Sequence, residues 1–274
     1  MPDILVRHLD FDFEEDKDVD VEFIPGDPEM SYFMVGLSMI LPYLEPHLVK
    51  HTIAGQKRIT DKVLLHDMQQ FARQEAAHYK EHKRFNDRVR AAYPGLEHLE
   101  AEVAADYVRF SAKGLKFNLA YAEGFESLTQ PWAIYMWESG MIKQMKGPLA
   151  DIYTWHVLEE IEHRTVAFDA YYFLHNDYFF RFRVSLIAQY HLIRFMLRCA
   201  IVMLKQESGR FKQRGGWTGR TKRILKWFGL ACKYLFPQLL KTYLPSYNPR
   251  NLKVPSAMTE LTETYSARAY KITR

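Results

Sequence analysis

Residues 155–171 read "WHVLEEIEHRTVAFDAY", a stretch that crowds ionisable side chains into about two helical turns before it becomes apolar. An α-helix advances about 100° per residue, so His156, Glu160 and His163 would share a face about 60° wide. A solvated helix can carry such charges without a function. The stretch alone therefore leaves two interpretations open, an exposed polar face or one wall of a metal site.

The same spacing of Glu and His occurs upstream in the chain. The segment "RQEAAH" contains Glu75 and His78, which are three residues apart, as in the last part of the quoted stretch. A further glutamate precedes this segment, Glu45 in "PYLEPH", and another follows it, Glu126 in "FES". The order along the chain is therefore Glu, Glu-x-x-His, Glu, Glu-x-x-His.

This order is typical of four-helix bundles that hold two metal ions, with one Glu from each of two helices and a Glu-x-x-His from each of the others. Carboxylates neutralise the two ions in a dry core, where isolated charges would be very costly. Carboxylate and imidazole ligands together suit iron or manganese. We therefore predict an all-α protein, a ferritin-like four-helix bundle with additional C-terminal helices. It would bind two Fe ions, or Mn or a mixed Fe/Mn pair, or Zn if the protein is a hydrolase.

Two other side chains share a predicted helix face with the predicted ligands. His82 follows Glu75 by seven residues, and it could be a ligand or a hydrogen-bond partner of one. Glu123 lies on the same face as Glu126, so it could replace Glu126 as a ligand or accept a hydrogen bond from one. The sequence favours Glu126 without excluding Glu123.

Three acidic residues of the quoted stretch are predicted to lie outside the main ligand set. Helical geometry places Glu159 at the margin of the metal-facing side and Glu162 outside it. Both are predicted to be surface residues or hydrogen-bond partners of ligands. An imidazole ligand usually donates its second N–H to a carboxylate or carbonyl group. By residue type, Asp169 is a candidate for that role.

The chain is predicted to have three parts. Residues 1–27 form an acidic N-terminal arm, residues 28–207 form the metal-binding bundle, and residues 208–274 form a basic, aromatic-rich extension. From residue 181 onward there are 19 Lys or Arg against 3 Asp or Glu. Such a basic region could meet an anionic membrane surface, dock on the acidic body or contact a second subunit. No recognition motif accompanies the charge, so a nucleic-acid partner is not expected.

Apolar periodicity predicts several long helices and a few breaks. One helix is predicted over residues 97–127, and another from the quoted stretch to about residue 175. Pro42 and Pro46 are expected to bend or interrupt the first helix. The last 30 residues look irregular.

The segment 184–204 has the length of a membrane span. It carries Arg194 and Arg198, and central arginines are costly in a bilayer, so a buried or interfacial helix is the preferred interpretation. The two cysteines, Cys199 and Cys232, give no disulfide framework. We expect a cytoplasmic protein that could lie peripherally at the inner membrane surface.

Four segments, "PYLE", "RQEAAH", "FES" and the quoted stretch, resemble a bacterial family of predicted metal-dependent hydrolases whose members are ferritin-like. The resemblance covers roughly residues 28–205. The His-x-x-x-Glu-x-x-His pattern of the quoted stretch is also similar to that of di-iron arylamine N-oxygenases, in which the added His is a third imidazole ligand. Carried over position by position, the resemblance implies these ligands: Glu45, Glu75, His78, Glu126, His156, Glu160 and His163.

This ligand set favours an enzyme that activates O2 to oxygenate, N-oxygenate or desaturate an organic small molecule. The apolar C-terminal helices suggest that this substrate is hydrophobic. Electrons would come from a reductase or from the substrate. The alternative is a metal-dependent hydrolase whose nucleophile is a hydroxide that bridges the ions. A third option is a metal-binding ferritin-like protein without catalysis. A homodimer is expected in each case.

Overall fold

The computed structural model describes residues 4–13 and 21–269, and within these ranges it contains long helices and no β-strand. The all-α prediction is confirmed. Short 3₁₀ turns occur at Ser208–Arg210 and Pro249–Asn251, and a π-helical turn occurs at Ala231–Leu235. The helices have the following bounds: α1 Pro28–Gln56, α2 Lys62–Ala92, α3 Leu96–Ser111, α4 Leu115–Glu138, α5 Met141–Gln144, α6 Pro148–Glu162, α7 Val166–Leu174, α8 Tyr178–Gln206, α9 Gly216–Leu230, α10 Phe236–Thr242 and α11 Ser256–Arg268.

The centre of the molecule is a bundle in which α1 packs against α2, α4 and α8, and α4 packs against α6, α7 and α8. Two glycines allow α8 to approach its neighbours closely. A Cβ atom at Gly36 of α1 would lie 2.7 Å from the Met196 Cα, and one at Gly124 of α4 would lie 2.5 Å from the Ser185 Cα. Any larger residue would force the backbones apart, so α8 is fixed against the two helices that carry Glu45 and Glu126.

The first helix is continuous through both of its prolines, so Pro42 and Pro46 do not interrupt it, and the alternative that they bend it stays a prediction. Proline has no N–H group and leaves the carbonyl four residues earlier without its helical partner. For Pro42 that carbonyl belongs to Ser38, and Asn86 Nδ2 donates a hydrogen bond to it at 2.7 Å. The neighbouring helix α2 thus supplies the donor that the proline removes.

Three other predicted boundaries are corrected. The single helix predicted over residues 97–127 is two helices, because the chain turns at Gly114 with a φ of +82°, which favours glycine. The helix of the quoted stretch ends at Glu162, and α7 begins at Val166. The C-terminal segment that looked irregular contains α11, whose Arg268 forms an ion pair with Asp151 of α6 at 2.6 Å.

Parts of the chain outside the central bundle pack onto it. In the N-terminal segment Phe11 packs on Trp155, with ring centroids 5.3 Å apart. At the other end, α8 is the one helix within residues 4–13 and 21–269 that is long and apolar enough to span a membrane. Of its most apolar window, 44% is buried against the rest of the protein. This burial agrees with a bundle helix, as preferred from Arg194 and Arg198.

Candidate metal centre

Four helices converge on one buried cluster of carboxylates and imidazoles. The cluster contains Glu45 of α1, Glu126 of α4, and ligand candidates from α2 and from the end of α6. All are at most 6% exposed. Three groups each place one ligand atom per residue within 4.8 Å of the others. They are Glu45–His78–His156, Glu75–Glu126–His163 and Glu75–His78–Glu160.

These groups define two neighbouring positions for a cation. At the first, His156 Nε2 lies 2.8 Å from Glu160 Oε1 and 3.6 Å from Glu45 Oε1. At the second, His163 Nδ1 lies 3.6 Å from Glu126 Oε2, and His163 Nε2 lies 3.5 Å from Glu75 Oε1. Glu160 also lies 3.7 Å from His163, so its carboxylate faces both positions.

The polar atoms of this cluster fit bound metal ions. Buried polar atoms in proteins almost always have hydrogen-bond partners, because an unpaired one costs the free energy of its lost hydration. Many atoms of the cluster have no such partner within residues 4–13 and 21–269, and two divalent ions would satisfy them together. They are both carboxylate oxygens of Glu45, Glu75 and Glu126, Glu160 Oε2, His78 Nδ1 and both ring nitrogens of His163.

Burial and mutual repulsion perturb the carboxyl groups strongly. Burial, and then the charges of neighbouring glutamates, raises the pKa values of Glu45, Glu75 and Glu126 well above their usual range. Burial acts in the same direction on Glu160, but His163 and His156 lower its pKa below the usual range. Most of these carboxyl groups therefore hold protons until cations replace them.

We predict an inverted pH dependence for the stability of the metal-free protein between about pH 7 and 9. A carboxyl group whose pKa is higher in the folded state stabilises the fold while it is protonated, and this contribution is lost as the pH rises through the folded-state pKa. The low pKa values of buried His78 and His82 have no effect here, because unfolded histidines are already neutral above about pH 7.

The measurement is urea unfolding of chelator-treated protein at both pH values, beside metal-loaded protein. The metal-free protein should be less stable at pH 9, and the loaded protein should not show this loss. Equal stability of the metal-free protein at the two pH values would contradict the prediction.

A chain of hydrogen bonds fixes the orientation of His156. Ser38 Oγ donates to Asn86 Oδ1 at 2.7 Å, and it lies 2.8 Å from His82 Nδ1. His82 Nε2 lies 2.9 Å from His156 Nδ1. Because the Ser38 proton is directed to Asn86, His82 donates from Nδ1 and accepts from His156 Nδ1–H. The lone pair of His156 Nε2 is therefore directed towards Glu160 and Glu45, as a metal ligand requires.

Replacing His82 with leucine is expected to weaken metal binding by roughly 10- to 100-fold, because His156 loses the group that fixes its ring. His98→Leu is the matched control, since His98 is exposed and pairs only at the surface with Glu102. Competition with a chelating dye measures the affinity. An affinity equal to that of the control would show that His82 does not orient the site.

A second set of hydrogen bonds, outside the two cation positions, orients His78 and includes a residue of the N-terminal segment. His78 Nε2 lies 2.9 Å from Glu159 Oε2, so Nδ1 is left to face the cluster. Arg7 donates to Glu159 at 3.0 Å and to Glu162 at 2.6 Å. Glu162 also accepts from Gln74 at 3.0 Å.

Glu159 is therefore a hydrogen-bond partner of the ligand candidate His78, which was one of its two predicted roles. Glu162 does lie outside the cation positions, but it is buried rather than at the surface. Arg7 carries no signal of this role in the sequence, because a basic residue in an acidic arm has no helical periodicity that would link it to α6.

Two other predicted outer residues lie elsewhere. Glu123 is buried against Arg181 of α8 at 2.7 Å, and it also accepts from Ser185. Asp169 binds Arg250 at 2.6 Å. Both carboxylates are thus engaged by arginines of the C-terminal region, and neither belongs to the three groups of close ligand atoms.

A small apolar cavity of about 40 Å³ adjoins the cluster. His156 and Glu160 form its polar end, and its walls come from α1, α4, α6 and α8. Among the wall residues are Leu37, Phe125, Leu128, Trp132 and Ile193. The first cation position therefore lies beside an apolar cavity. Such a cavity is better suited to a hydrophobic group of a ligand than to water.

The fold and this cluster define a helical-bundle protein whose buried carboxylates and imidazoles are arranged to hold metal ions. A family model described as a predicted metal-dependent hydrolase matches residues 5–253, so the chain belongs to this family. A search of the curated proteins and a search of the solved structures gave no significant match. The expected family is confirmed, whereas the likeness to di-iron arylamine N-oxygenases stays a prediction.

Proposed function

We propose that this protein is a dinuclear metal enzyme that acts on a hydrophobic small molecule at the cavity beside His156 and Glu160. This proposal is supported by the buried polar atoms of the cluster, which lack hydrogen-bond partners within the described residues and lie next to an apolar cavity. One ion would be held by Glu45, His78 and His156. Glu75, Glu126 and His163 would hold the other ion, and Glu160, which lies near both His156 and His163, would also contribute to the site.

The family description favours hydrolysis as the reaction. When bound, divalent ions polarise a substrate carbonyl or phosphoryl oxygen and lower the pKa of a bound water. The side chains of the protein would prepare this reaction. His82 keeps His156 in its ligand tautomer, the apolar walls of the cavity exclude bulk water, and His156 and Glu160 form the polar end at which a substrate would meet the ions.

Oxidation by O2 is the second candidate, and the composition of the ligand set supports it. Four glutamates and three histidines, with two Glu-x-x-His spacings, resemble the carboxylate set of di-iron helical bundles. Such carboxylates can change their coordination when iron changes oxidation state. This reaction would take electrons from a reductase or from the substrate.

Metal-specific assays separate the two candidates. The protein is loaded under argon with Fe(II), Mn(II) or Zn(II), and it is then assayed for hydrolysis of nitrophenyl esters of increasing chain length. Hydrolysis by the Mn or Zn form without O2 would support the hydrolase. O2 uptake and a new visible absorbance band, given by the Fe form alone, would support the oxidase. Binding of many more than two irons per chain, with neither activity, would indicate storage and contradict the proposal.

A further inference from the structure

A large apolar groove runs along the surface between α8 and the C-terminal helices α9 and α10. Its volume is about 690 Å³, which lies within the usual range of ligand pockets. We call it the C-terminal groove, and its lining includes Tyr190, Ile193, Leu197, Trp227, Phe228 and Leu239. Its length along α8 and its nearly continuous apolar lining suit a hydrocarbon chain better than a polar metabolite.

The C-terminal groove and the cavity at the metal centre share part of their lining. Leu128, Trp132 and Ile193 line both spaces. A single layer of side chains thus lies between the surface and the apolar space beside His156. The indole Nε1 of Trp132 is buried and has no hydrogen-bond partner within residues 4–13 and 21–269, so this layer offers a donor to a polar atom of a ligand.

The side of α8 that faces the groove is strongly exposed. Its exposed apolar residues are Leu186, Tyr190, Leu197 and Ile201, and Tyr190 is 69% accessible. Opposite them, Ile224 and Phe228 of α9 are also exposed. A contiguous apolar surface of this kind marks a site that meets another apolar phase or molecule.

Three exposed basic residues lie along one edge of this apolar surface. Arg183, Arg194 and Lys205 follow one another at intervals of eleven residues, which return to nearly the same side of a helix. They stand about 100° from Ile193, next to the exposed apolar side chains. A basic edge beside an apolar strip is the pattern of a helix that lies on an anionic membrane.

We infer that the C-terminal groove takes the hydrocarbon chain of an amphiphilic substrate from an anionic membrane surface, and that the layer of Leu128, Trp132 and Ile193 admits it to the metal centre. This inference rests on the proposed function for the step at the metals. A second copy of the chain is a poorer occupant. Two such faces would bring like charges together, since residues 181–274 contain 19 basic and 3 acidic residues.

The first test follows entry of a chain to the metal site. The protein is loaded with Co(II), whose visible bands report its ligands, and titrated with the fluorescent long-chain acid cis-parinaric acid, then with palmitate and butyrate. The wild type should bind the probe, and palmitate but not butyrate should change the Co(II) bands. Ile193→Trp should still bind the probe, but its Co(II) bands should not respond.

The matched control is Ile187→Trp, because Ile187 is an exposed residue of α8 that lines neither space. Ile193→Phe provides a smaller blocking variant if the tryptophan prevents folding. A response of the Co(II) bands in both blocking variants would overturn the proposed route. Co(II)-loaded protein that binds no probe would overturn the groove assignment and leave the proposed function intact. Failure to bind Co(II) would overturn the proposed function, while the probe titration would still decide the groove.

The second test measures attachment to phosphatidylcholine vesicles that contain about one third phosphatidylglycerol. Changing Arg183, Arg194 and Lys205 together to Gln should weaken binding by roughly 100-fold, at about fivefold per basic residue. The control changes three exposed basic residues around the turn between α1 and α2, Lys57, Arg58 and Lys62, to Gln, and it should bind as the wild type does. Equal vesicle binding by the two triple variants would overturn the membrane assignment. It would also be overturned if the wild type bound no vesicles and instead formed a dimer that the substitution Tyr190→Glu dissociates.

Discussion

Replacing Glu75 with glutamine is expected to empty both metal positions at once. Glu75 belongs to two of the three groups of close ligand atoms, and it reaches His163 at one position and His78 at the other. Glutamine keeps the shape but loses the charge that offsets the two ions. We expect the affinity for metal to fall by more than ~100-fold, beyond the effect of losing an outer-sphere partner. Elemental analysis after dialysis measures the metal content.

The same substitution should not destabilise the metal-free protein. Both oxygens of Glu75 lack partners within the described residues, and burial with neighbouring carboxylates raises its pKa. Glutamine is neutral at every pH, whereas Glu75 must keep its proton to avoid repulsion from neighbouring carboxylates, so the free energy of unfolding without metal should stay equal or rise. Glu81→Gln is the control on the same helix, and it should retain both ions. Full metal content in Glu75→Gln would contradict the assignment of the centre.

Replacing Glu123 with leucine should lower the stability of the protein and leave its metal content unchanged, the opposite of what is expected for Glu75→Gln. Glu123 and Arg181 form an ion pair at 2.7 Å, and both side chains are 1% exposed. Leucine would leave the guanidinium buried without its counter-charge. Breaking a buried pair from one side costs about 3–5 kcal/mol, so we expect a loss of that size in the free energy of unfolding. Urea unfolding of the metal-free protein measures it.

Metal content should be retained in Glu123→Leu, because Glu123 lies in none of the ligand groups. The double variant Glu123→Leu/Arg181→Met should recover part of the lost stability by removing the unpaired charge. The recovery should be incomplete, since Arg181 also donates to the Thr242 carbonyl at 2.7 Å. Loss of metal in Glu123→Leu at full stability would instead make Glu123 a ligand. Comparing Glu75→Gln with Glu123→Leu thus separates a metal ligand from a structural carboxylate on two different helices of the bundle.

The helix pattern and the ligand candidates could be read from the chain alone. Glu-x-x-His spacing is a local property, because a helix fixes the direction of side chains three and four residues apart. The structure accordingly brings Glu45, Glu75 and Glu126 into one cluster with the imidazoles of α2 and α6. The residues at which helices end or are interrupted are harder to predict. Pro42 is tolerated because Asn86 of another helix supplies a donor, and this compensation is invisible in the local sequence.

What the sequence by itself determined is therefore the helical class and the residues on the inner faces of four helices, since both follow from periodicity. Tertiary structure alone decided which carboxylates remain without a partner. Glu162 and Glu123 are buried glutamates like Glu160, but Arg7 and Arg181 arrive from distant parts of the chain and neutralise them. A carboxylate becomes a metal ligand when no such cation reaches it in the core. That outcome depends on contacts between residues more than 50 positions apart, which helical periodicity does not encode.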